Sequence, residues 1–295
     1  MSARIKDKIA TICLYIISIF VVLLLIGFIS YIIYQGRSSL NFHFIFGKEL
    51  TDQKGGGIGA QLFNSFYLLI ISMILTVPLG IGAGIYLAEY AKKGPLVSII
   101  RLCIETIASL PSIVIGLFGL LIFVVMTKWG YTILSGAFVI TVLNLPSLTR
   151  VSEDAVKTES KVVKEASLAV GATKWQTIVK VILPSAMPQI LTGIILASGR
   201  IFGEAAALLY TSGMTTRSLN FNRISITGKV SPFSLFRPAE TLAIHIWKLN
   251  SEGMVPDAGK IASGASAVLV IMVLLFNFLA RFIGKKIYES YSGSK

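Results

Sequence analysis

KVVKEASLAVGATKWQTIVKVILP, residues 161–184, sits inside a polar stretch of about 150–185 that separates two apolar runs of membrane length. It holds Glu165-Ala166-Ser167, then Gly171-Ala172, then Leu183-Pro184. Apolar and polar residues alternate at helical spacing on both sides of Gly171. Gly171 permits a sharp turn between two helices, and Pro184 is expected to end the second. Small residues such as Ala166 let a neighbouring chain approach closely. A hydrophilic helical hairpin held between two membrane spans is a surface for something outside the membrane.

Working outward, the chain has 295 residues, of which 54% are hydrophobic, and a mean hydropathy of +0.78. Apolar segments of about 18 residues or more suffice to cross a hydrocarbon core of roughly 30 Å. Six such spans are expected, at residues 9–34, 62–87, 102–126, 131–148, 188–210 and 261–283. The first follows Arg4, Lys6 and Lys8 as a signal peptide would, but it exceeds the 7–15 apolar residues of a signal core and is read as a retained helix. Pro78, Gly80, Gly82 and Gly84 in the second span suit a helix packed closely on its neighbours. The fold class is therefore all-α, a polytopic membrane protein with six transmembrane helices.

The net charge of +13 would suit nucleic acid, but the basic residues fall between apolar runs and no basic stripe with interleaved aromatics is present. Positive-inside bias explains them. It places the N-terminus, the Lys92-Lys93 turn, the central loop and the tail with Arg281, Lys285 and Lys286 in the cytoplasm. The connection near Lys128 and the segments 35–60 and 213–260 fall outside. Three regions follow: an N-terminal helix with its outer loop (1–59), a membrane domain (60–284) and a cytoplasmic tail (285–295).

Cys13 and Cys103 lie in or beside apolar segments and form no cluster. His43 and His245 have no ligand-spaced partners in sequence, so no metal is expected. The glycines at 55–57 and 59 lack the Gly-Lys-Ser/Thr of a phosphate loop and are read as a flexible entry to the second span. The chain shows no means of binding or hydrolysing ATP, and no catalytic residues or cofactor are expected. The acids Glu89, Glu105 and Glu204 are too far apart in sequence for a membrane enzyme's active site.

Arg200 lies mid-span, where a charge is costly and faces a bundle interior or water. Glu204, four residues on, is expected on the same helical face, and Gly199 with Gly203 offers a small-residue face for another helix. Arg200 can offer two hydrogen bonds to an oxyanion, with Glu204 holding it or weakening anion capture. A self-neutralising structural pair is the other reading. Arg150, at the end of the fourth span, is a further path candidate or a snorkelling side chain. Arg101 and Glu105 are expected to pair along one helix, and Trp175 to pack beneath the Gly171 turn.

The central stretch resembles the EAA loop of ABC-importer permeases: Glu-Ala-Ala, three residues, Gly, nine residues, Ile, one residue, Leu-Pro. Ser167 stands for the second Ala and Val181 for the Ile. Further stretches resemble the PstA type of phosphate-importer permease: ASLPSIVIGLFG (108–119), Leu145-Pro146 through Arg150, GATKW (171–175), Arg200 with Gly203-Glu204-Ala205, and ETLAIHIW (240–247). Where that family more often has Thr-Ala-Pro, this chain has Ala205-Ala206-Ala207, so the geometry after Glu204 can differ. The resemblance covers about residues 55–280. It implies the type I (MetI-like) importer fold, with Glu165, Ala166, Ser167, Gly171, Ala172, Leu183 and Pro184 in a loop seated in the cleft of an ATPase subunit. It also implies a second, PstC-like permease, a PstB-like ATPase pair that uses the ATP, and a PstS-like external phosphate-binding protein. The cargo would be phosphate, with phosphonate, sulfate or molybdate as alternatives and a passive anion channel as a remote one.

Overall fold

A computed structural model describes residues 3–50, 54–92, 94–158, 161–216, 219, 221–222, 225–228, 231–252 and 255–292. Lys93 and the last three residues of the tail lie outside them. Beyond its charged first turns, helix α1 (Ala3–Gly36) is apolar all round and exposed along most of its described length, as a helix facing lipid must be. It leans on the last helix, α12 (Ala258–Ser292). A short α2 (Phe42–Phe46), capped by the Asn41 side chain accepting from Phe44 N at 2.8 Å, leads to α3 (Gly59–Ile85), which continues as a π-turn at Tyr86–Tyr90. The glycines before α3 are pinned rather than loose: Gly57 N donates to Lys48 O at 2.8 Å and Gly59 N to Gly47 O at 3.1 Å.

The third expected span is not one helix. α4 (Pro95–Ser109) and α5 (Ser112–Gly119, continuing as a π-turn at Leu120–Met126) meet at 106°. Pro111 is the cause: it cannot donate its amide, and it forces Leu110 out of the helical region to φ −72, ψ 138. At 1.5 Å per residue, an arm of this length spans only about 22 Å. Among the described residues, five helices are long and apolar enough to cross a membrane, and six segments qualify if the bent pair counts as one.

Helix α6 (Ile133–Thr158) runs ten residues past the expected end of the fourth span. Its extension is held by apolar contact, since Ala155 and Val156 are buried with Ile178, Ile182, Ala186 and Ile190 in a small core of their own. Against α6 lies α3, the most intimate helix pair of the fold. A Cβ on Gly84 would stand 2.5 Å from Ser152 Cβ and 2.8 Å from the Glu153 amide, so only glycine permits this approach. The main core joins both to the remaining elements through Leu68, Ile140, Phe202, Ile244 and Val268.

The chain then makes α7 (Lys161–Ala169), turns at Gly171, and enters α8 (Lys174–Thr177). Pro184 does not end a helix. α8 passes through a π-turn at Ile178–Ile182 into α9 (Leu183–Gly203), forming a continuous apolar span over Lys174–Gly203. The widened turn just before Pro184 accommodates its ring and missing amide. α9 ends seven residues earlier than expected, and α10 (Ala206–Leu209) follows after a break. α11 (Leu242–Glu252) packs on α12 at the end of the bundle where α3 begins.

Candidate functional site

The exposed positions of α9 are Ser185, Gln189, Thr192, Leu196, Arg200 and Gly203. Their steps of three and four residues put them on one helical face. Depth follows from packing. Gly193 of α9 lies against Leu148 and Val151 of α6, while Gly136 of α6 lies against Leu208 and Ser212. Between Gly136 and Leu148, α6 rises about 18 Å. Arg200 falls between these levels, inside the membrane-crossing part of the bundle. Lipid is a poor neighbour for Ser, Gln, Thr and Arg on a single stripe.

The expected Arg200–Glu204 pair does not form. α9 stops at Gly203, and Glu204 adopts an extended backbone at φ −74, ψ 128, so it is not one turn further on the same face. Its Oε1 instead accepts the Ala207 amide at 3.2 Å and caps α10. Arg200 is thus left exposed, with no carboxylate on it among the described residues. The small-residue face is also split: Gly199 faces Asn277 of α12, whereas Gly203 has no neighbour within 4 Å of a Cβ.

Arg150 belongs to a different group of charges. Instead of an Arg101–Glu105 pair along α4, Arg101 binds Glu153 of α6, and Glu105 receives Arg150 at 3.4 Å. Lys157 joins Glu153 from the next turn of α6. No residue of α4 is buried, so these exchanged pairs, around a cleft of about 310 Å³, help hold it to α6. The i,i+4 spacing was real, but the better-placed partners came from the facing helix.

At the hairpin, Gly171 has φ +88, a conformation that excludes ordinary side chains. Thr173 and Gln176 form a reciprocal cap that starts α8. Ser167 Oγ and Thr177 Oγ1 lie 3.0 Å apart and bridge α7 to α8, a use for the hydroxyl that replaces the second alanine. Glu165 and Ala166 are exposed, Ala172 partly so. Trp175 is not packed beneath the turn: it is 63% exposed, and Val170, on the other side of Gly171 in sequence, is 85% exposed. The base of the hairpin is fastened to the end of α3. Lys164 pairs with the Glu89 carboxylate, and Lys174 Nζ donates to the Glu89 carbonyl while lying 4.5 Å over the Tyr90 ring. Leu183 and Pro184 lie at the start of α9, half-buried, and carry the hairpin into that span.

At the opposite end, the segment 231–252 buries a polar network. Arg237 Nη2 donates to Asn64 Oδ1 and to the Pro232 carbonyl, both at 2.8 Å. Burial pushes this guanidinium down to about 10, still charged at neutral pH. Asn64 Nδ2 in turn donates to the Glu240 carbonyl at 2.9 Å. His245 Nδ1 and Glu240 Oε1 are 2.9 Å apart, and Lys248 Nζ is 3.6 Å from the same oxygen. Glu49 completes a group with Glu240 and His245 whose ligand-type atoms lie within 4.8 Å of one another. Sequence spacing had no way to reveal this group, because Glu49 is far from the other two along the chain.

Comparison with known proteins places these features. Residues 80–290 match the family model described as binding-protein-dependent transport system inner membrane component. The probable ABC transporter permease YqgI of Bacillus subtilis is 53% identical over all of both chains. The phosphate transport system permease PstA of Yersinia pestis is 34% identical over 79% of this chain and 74% of its own. A chain of the bacterial alginate ABC transporter, solved with an alginate-bound periplasmic protein, superposes with a TM-score of 0.68 at 16% identity, covering 96% of each. A chain of the methionine transporter MetNI superposes at 0.56 with 19% identity, over 78% of this chain and 94% of that one. The fold is that of a MetI-type importer permease.

Proposed function

Since the chain belongs to the family of binding-protein-dependent transport system inner membrane components, the permeases of ABC importers and not enzymes, we propose that the α9 stripe lines the import path of an oxyanion, inorganic phosphate. The observation that carries this reading is Arg200: a guanidinium at membrane depth, exposed, on a largely polar face, with no carboxylate to neutralise it among the described residues. A guanidinium fork matches the oxygens of phosphate. The PstA relative supports phosphate, while the alginate and methionine transporters share the fold alone.

In this reading the rest of the stripe faces a second, PstC-like permease, and the path runs between the two. Gln189 and Thr192 supply further hydrogen bonds deeper along α9. Glu204, bound to α10, shapes the end of the path without touching Arg200. Arg150, engaged with Glu105, belongs to the inner mouth. The hairpin α7–α8, with Glu165, Ala166, Ser167, Gly171 and Ala172 at its turn, docks on a separate PstB-like ATPase that uses the ATP, and a PstS-like protein delivers phosphate from outside. Both termini and the hairpin lie in the cytoplasm by the positive-inside rule.

The test is uptake of labelled phosphate by the complex reconstituted in proteoliposomes with ATP inside. Phosphate is expected to be carried, and Arg200→Ala to lower the rate by about 100-fold, the scale of one lost charged hydrogen-bond pair, with the complex still assembled. Uptake of sulfate, molybdate or a phosphonate in place of phosphate would reassign the cargo. Undiminished phosphate uptake by Arg200→Ala would remove Arg200 from the path. Flux without ATP would make the chain a channel.

A further inference from the structure

We propose that Glu49, Glu240 and His245 form a binding site for a divalent transition-metal cation at the end of the bundle opposite the hairpin. α3 separates the two ends, with Gln61 near its start and Glu89 at its far end, roughly 40 Å apart. The three ligand-type atoms lie within 4.8 Å of one another. Small adjustments of side chains bring such atoms to metal–ligand distances of about 2.0–2.2 Å.

Two carboxylates this close, one fully buried, call for a cation between them. Among the described residues, Lys248 supplies one positive charge against the two. His245 Nδ1 and Lys248 Nζ both address Glu240 Oε1, and Lys248 also donates to the Met214 carbonyl at 3.1 Å. Among the described residues, Glu240 Oε2 is buried with no hydrogen-bond partner. An independent orphan lies beside it in the network. Gln61 is fully buried, its Nε2 donates to Glu49 Oε2 at 2.6 Å, and its Oε1 has no partner among the described residues. Buried polar atoms without partners are uncommon, and two around one carboxylate pair indicate a missing ligand.

One imidazole nitrogen with two carboxylate oxygens suits manganese or zinc, whereas magnesium and calcium favour all-oxygen sets. The ion takes the His245 Nδ1 lone pair in place of the present hydrogen bond, and Glu240 presents its free Oε2. Gln61 holds the Glu49 carboxylate in position. Glu49 also lines an open cleft of about 780 Å³ with Lys48, Phe63 and Phe66, which gives an ion a way in. So bound, the metal ties the segment before α3 to α3 and α11, fixing the cap of the bundle.

The experiment uses the full chain without a polyhistidine tag, purified in detergent and stripped with chelator. Manganese is followed by electron paramagnetic resonance, zinc by calorimetry, and magnesium serves as the control. One manganese or zinc per chain, with a raised melting temperature and no equivalent effect of magnesium, is the expected result. Glu49→Gln, at a half-exposed position that folding tolerates, and His245→Ala are each expected to weaken binding at least about tenfold. Less than stoichiometric binding by the unaltered chain overturns the site, and so does binding unchanged in both variants.

Discussion

The hairpin α7–α8 and the cap formed by residues 231–252 invert each other's chemistry. The hairpin displays apolar side chains to solvent, Val170 at 85% and Trp175 at 63% exposed, on a polar stretch of sequence. The cap conceals ionisable groups, Arg237 at 1% and Glu240 at 0%, beside an apolar bundle. The fold meets most of its own needs in the second case: Arg237, Asn64 and His245 find partners within the chain, and Glu240 Oε2, unpaired among the described residues, is left to the proposed cation. It leaves them unmet in the first, which is the signature of a surface completed by another protein. The cap is built as architecture, and the hairpin has the surface that the proposed docking on an ATPase needs. Exposure of apolar groups, more than motif letters, tells them apart.

Four substitutions can break or sharpen this contrast. Arg237→Ala has the largest effect, because it strands Asn64 Oδ1 and the Pro232 carbonyl in a buried site. A loss of about 3 kcal/mol is expected, seen as earlier thermal unfolding of the chain in detergent, and Lys should not rescue it, lacking the fork. Trp175→Ala is expected to leave thermal unfolding unchanged while weakening co-purification with the ATPase by about 2 kcal/mol, the scale of an aromatic interface anchor. Loss of stability with docking intact would mean that Trp175 is a core residue after all.

Gly171→Val forces a branched side chain into positive φ at about 1–2 kcal/mol. Coupled ATP hydrolysis should fall with little change in the membrane bundle. The smallest change is Ser167→Ala. It removes one hydroxyl pair, and a loss of about 1 kcal/mol or less is expected as faster hydrogen exchange confined to α7 and α8. Exchange that quickens throughout the bundle would show that the two regions are not separable.

The contrast also marks what could be read in the sequence. Length and hydropathy located the bundle, and Gly171 located the turn, because both are local properties. The break at Pro111 was hidden by the high average hydropathy of residues 102–126, since hydropathy does not register a lost amide. Helix α6 outran its apolar segment because Ala155 and Val156 meet a core supplied by residues 178–190. Periodicity placed Glu204 beneath Arg200, but periodicity holds only while a helix continues, and this one stops at Gly203. The exposed α9 stripe was legible in principle: Ser185, Gln189, Thr192 and Arg200 keep helical spacing through an apolar span. The grouping of Glu49 with Glu240 and His245 depends on tertiary structure alone.

Glu89 receives one lysine on its carboxylate and another on its backbone carbonyl, with both lysines carried by the hairpin. A force applied at the Gly171 tip therefore has two exits from the hairpin, one along the covalent chain into α9 and one through this clasp into α3. The two helices that receive it both pack on α6, so such a force would reach the bundle from two sides at once.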